Sequence, residues 1–70
     1  MDEASDLQLL FHRLNNQLGI VLAHAELIEA KANDEVTRAR AAQIVAGALE
    51  AMRTTREIRS LQNRPLEPKS

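Results

Sequence analysis

His12 is the residue in this 70-residue chain best suited to chemistry, and Asn16 stands four positions beyond it. Residues four apart share a helix face, so the imidazole and the carboxamide become neighbours. Imidazole is neutral and nucleophilic near pH 7, and a fixed amide beside it can orient the ring. The surrounding run, Phe11-His12-Arg13-Leu14-Asn15-Asn16-Gln17-Leu18, keeps its apolar residues on a different face. A titratable nucleophile is therefore expected on the outside of a rigid helix, where it would suit phosphoryl acceptance. The plainer alternative is a solvated surface histidine with no task. Asn15, Asn16 and Gly19 weigh against that alternative. All three are poor helix formers in a stretch otherwise rich in Ala and Leu, glycine costing about 1 kcal/mol relative to alanine.

The elements that must hold His12 follow from periodicity. Leu7, Phe11, Leu14, Leu18, Val21, Ala25, Ile28 and Ala32 alternate by four and three, a heptad seam with 11, 18 and 25 at a and 14, 21 and 28 at d. His12 then falls at b, outside the seam. Leu10, Ile20, Leu22 and Leu27 also lie off it, so the apolar arc is too broad for one partner helix. Ser5 with Gln8 reads as a capping box, and helix 1 is expected over about 5–32. Asn33 suits a left-handed helix end, and Asp34 can cap a second helix over about 35–62. The second apolar stripe is Ala41, Ile44, Val45, Ala48, Ala51, Met52, Thr55, Ile58 and Leu61, with Arg53 and Glu57 as a surface i,i+4 pair. Pro65 and Pro68 mark 63–70 as a disordered tail.

A tight turn between two long helices predicts an all-α fold: an antiparallel helical hairpin within 1–62, dimerising into a four-helix bundle. A chain this short needs a staple or a partner. Cysteine is absent, and His12 and His24 alone make no zinc ligand set, so neither disulfide nor metal serves. Association remains. Hydrophobic content is 44% with Phe11 the one aromatic, the palette of packed helices rather than of a sandwich.

Net charge is −1, which gives no electrostatic case for nucleic acid or a membrane surface. The halves differ: seven acids against Arg13 and Lys31 in 1–35, seven bases against three glutamates in 36–70. No apolar run approaches the roughly 20 residues of a membrane span. The N-terminal residues are acidic where a signal peptide would be basic, so the expected compartment is the cytoplasm. No cofactor motif is present, and no Gly-rich nucleotide loop.

The run His12-Arg13-Leu14-Asn15-Asn16-Gln17-Leu18, continuing through Ile20-Val21-Leu22 to Ala25-Glu26-Leu27, resembles the H-box helix of sensor histidine kinases. The variant it is similar to reads H-D-x-N-N-x-L, then an aliphatic run and A-E-L. The second helix fits more loosely. The resemblance implies a dimerisation and histidine-phosphotransfer domain of two-component signalling. His12 would accept phosphate and pass it to an aspartate of a response-regulator receiver domain, and Asn16 would orient the ring or an attacking water. A histidine kinase would be the other partner.

Two departures matter. The acid that normally follows the histidine is replaced by Arg13, and no carboxylate lies three or four residues from His12. Loss of a positioned base typically costs 10²–10⁴-fold. The chain also lacks an ATP-binding domain, so it is no kinase alone. It is expected to be either part of a larger sensor kinase or a stand-alone module. In an antiparallel hairpin, residues near 12 lie level with those near 54–57. Arg53, Arg56 and Arg59 would then join Arg13 as a basic collar for a phosphoryl group or an acidic regulator surface. The alternative is a solvated face balanced by Glu50 and Glu57. At the level of the whole chain, the rival reading is a non-catalytic dimerisation or decoy module that binds signalling partners without phosphotransfer.

Overall fold

Two helices of equal length account for the architecture of this computed structural model, which describes residues 3–63. Helix α1 spans Glu3–Lys31 and helix α2 spans Glu35–Asn63. The protein is an all-α antiparallel helical hairpin, as the periodicity predicts. Helix α1 begins two residues ahead of Ser5, so the capping box does not mark its start. Glu3 and Ala4 are tolerated there because both form helix well and an acid suits the positive end of the dipole. Asn63 closes α2, and the rest of the expected tail, 64–70, lies outside the described residues.

The turn is closed by side chains from α2. The Thr37 amide donates to Asp34 Oδ2 at 2.8 Å, and the Arg38 amide donates to the Asp34 carbonyl at 3.1 Å, so Asp34 is the N-cap as predicted. Among the described residues none has positive φ, which corrects the left-handed role expected of Asn33. Arg38 takes over that task. Its Nη2 donates to the Ala32 carbonyl at 2.9 Å while Nη1 pairs with Glu35 at 3.0 Å, satisfying a carbonyl that the end of α1 leaves open. Arg53 pairs with Glu50 at 3.5 Å rather than with Glu57, an exposed contact of little energetic weight.

The core is thin and built from small residues. Ala25, Ala41 and Ala48 are its buried apolar members, with Thr55 beside them. Phe11, Leu18 and Leu22 extend the seam on α1 as half-buried residues, with Ala32 just past its end, and Val45 and Met52 do so on α2. In heptad letters, with 41, 48 and 55 as the a positions of α2, these are a and e residues of both helices. The d residues predicted to share the seam turn away from it. Leu14, Val21, Ile28, Ile44 and Ile58 are each 41–47% exposed. A hairpin gives each helix one neighbour, and alanine at a lets the two backbones close along that line. Only one flank of each broad apolar arc is then covered.

Helical geometry fixes where the uncovered flank lies. At about 100° per residue, d sits about 60° to one side of a, while e and b sit on the other. Reversing the second helix reverses its sense of rotation as seen from one end. Both d rows therefore emerge on one broad side of the hairpin, and both b rows on the opposite side.

Candidate functional site

The b side carries a cleft of about 150 Å³ lined by Phe11, His12, Asn15, Thr55, Arg56 and Arg59. These are the a, b and e positions of one heptad from each helix, so the same periodicity that builds the seam builds the site. Helix α1 supplies the histidine and the amide, and α2 supplies both guanidinium groups. Thr55 is buried at the floor and donates its hydroxyl to the Ala51 carbonyl at 2.8 Å, which ties the floor to the α2 backbone. His12, Asn15, Arg56 and Arg59 are exposed around it.

The site residues expected from sequence separate into two groups. His12, Arg56 and Arg59 come together at the cleft. Asn16, Arg13 and Arg53 do not line it. Asn16 sits at f, still one turn from His12 on the outer surface. Arg13 sits at c, rotated away from the seam. Arg53, also at f, is held by Glu50. The amide that shares the cleft with the imidazole is that of Asn15, three residues from His12 and facing α2. Its e position, shared with the half-buried Leu22, places it on the flank that meets α2, and spacing alone does not single that flank out. Sequence places Thr55 only within the α2 stripe, with no role at the site.

Among the described residues, no acidic one lines the cleft. The base that sequence finds missing beside His12 is therefore not supplied across the hairpin either. What the arrangement offers is an accessible imidazole with cationic and amide neighbours. Among the described residues, the ion pairs of α2 involve Arg38 and Arg53, leaving the Arg56 and Arg59 charges without a carboxylate within 4.0 Å. Among the same residues, no group of three His, Asp or Glu side chains forms a metal site, and no helix is long and apolar enough to cross a membrane. Comparison with known proteins finds no matching family model, curated protein or solved structure.

Proposed function

We propose that this chain is a cytoplasmic dimerisation and histidine-phosphotransfer module of two-component signalling. The observation that carries the reading is the division of the hairpin into two faces. The apolar d face is free for a second copy, while His12 stays accessible on the opposite face. In the transfer step, a ring nitrogen lone pair of His12 attacks phosphorus, the bond to the donor's leaving oxygen breaks, and the ring proton passes to solvent. The receiver aspartate then attacks the same phosphorus, the N–P bond breaks, and the ring regains a proton. The cationic pair Arg56 and Arg59, in the same cleft as His12, suits the acidic pocket of a receiver domain.

A second reading is favoured by the acid-free cleft: a dimerising decoy that binds the receiver or the kinase without accepting phosphate. One experiment separates the two. The chain is incubated with a receiver that carries a radiolabelled phosphoryl group, or with an active histidine kinase and ATP radiolabelled at the γ-phosphate. Acid-labile, alkali-stable label, lost in His12→Gln and increased in Arg13→Asp, supports phosphotransfer. Absence of label with every donor, in the native chain and in Arg13→Asp alike, supports the decoy.

A further inference from the structure

Arg56 and Arg59 line the same cleft as His12 from the second helix, and their presence there is not explained by ion pairing among the described residues. Both are exposed, and neither meets a carboxylate among the described residues. Helix α2 has five arginines among its described residues, at 38, 40, 53, 56 and 59. Arg38 and Arg53 are each engaged by a glutamate one turn away. Among the described residues Arg40, Arg56 and Arg59 are left without a carboxylate partner, and two of these three, Arg56 and Arg59, flank the cleft.

We propose that the cleft is a phosphoryl-oxyanion pocket in which Arg56 and Arg59 hold the oxygens of a tetrahedral phosphate against the His12 ring, with Asn15 donating a further hydrogen bond. Guanidinium groups bind phosphate through charge-assisted, often paired hydrogen bonds, stronger than those between neutral groups. The cleft volume of about 150 Å³ admits a single phosphate with water around it. Phe11 and Thr55 close one side, which limits competing hydration of the bound anion. Thr55 presents a hydroxyl whose hydrogen is already committed to Ala51, so the cations and the amide carry the binding. The pocket spans both helices, so occupancy also ties α1 to α2 at the open end of the hairpin. A phosphate bound from solution and a phosphoryl group carried on His12 present the same oxygens to the arginines. The inference rests on reading this cleft as the working site, and gives that site its ligand chemistry.

The test is a side-chain NMR titration of the whole chain with inorganic phosphate, at constant ionic strength, with chloride and acetate as controls. The expected result is saturable shifts of the His12 ring, the Asn15 amide and the Arg56 and Arg59 Nε–H groups with phosphate alone. Arg40 and Arg53 should not follow. Arg56→Gln/Arg59→Gln should weaken phosphate binding at least about tenfold, the loss expected for one or more charge-assisted bonds, while Arg53→Gln leaves it unchanged. Shifts that track ionic strength, that spread over every arginine, or that persist in the double variant would overturn the pocket. Saturable phosphate binding without labelling of His12 by any donor upholds the pocket and retires phosphotransfer. Labelling of His12 without saturable binding overturns the pocket and leaves phosphotransfer standing.

Discussion

Asp34 shows how much of this fold depends on single side chains at the turn. The Thr37 amide, and after it the Thr37 hydroxyl, hold the Asp34 carboxyl below its usual pKa. A depressed carboxylate contributes stability that is fully present above its unfolded value of about 4 and is lost as pH falls through the folded value. The native hairpin should therefore lose thermal stability on acidification below about pH 4 with a component that Asp34→Asn lacks, because the amide still accepts from Thr37 but does not titrate. Thermal melts by circular dichroism between neutral and strongly acidic pH check this, and equal pH dependence in both proteins would refute it. His12 is the other residue on which the account turns. Its position at b was readable from spacing. The identity of its amide neighbour, Asn15, was not, because that depends on which flank of α1 meets α2.

Both glycines at the scale of elements are helix-interior residues that cost stability without a packing reason. A Cβ added at Gly19 or at Gly47 meets no atom within 4 Å, so neither marks the close backbone approach that their similar heights suggest. Gly19→Ala and Gly47→Ala should each stabilise the protein by about 1 kcal/mol, read as a rise in denaturation midpoint with unchanged slope. Loss of stability in either would show a contact that the hairpin alone does not contain. Helix number, the turn and the Asp34 cap were legible because local rules govern them. The division of each stripe was less so. Periodicity locates apolar residues without saying which neighbour each flank faces, and the clue was size. Alanine at 25, 41 and 48 marks the close line, while the larger Leu14, Val21, Ile28, Ile44 and Ile58 mark the open one. The Arg38 bridge across the turn carried no sequence signal beyond an arginine in the first turn of α2.

The whole hairpin is too thinly packed to account for its own composition. Among the described residues the buried apolar ones are three alanines, while thirteen large apolar side chains remain exposed. Covering the remaining half of a d-row leucine, valine or isoleucine contributes about 1 kcal/mol each, so a second copy across that face gains several kcal/mol per protomer. A pairing of this kind is isologous, buries both d rows and leaves both clefts outward. The glutamate double variant Val21→Glu/Ile28→Glu charges that face without entering the a/e seam, and should separate the copies. Sedimentation equilibrium of the native chain at micromolar concentration tests the claim most directly. The account predicts a helical species of twice the 7.8 kDa chain mass, reduced to a single chain mass in the double variant. A stably helical native species of 7.8 kDa would contradict it.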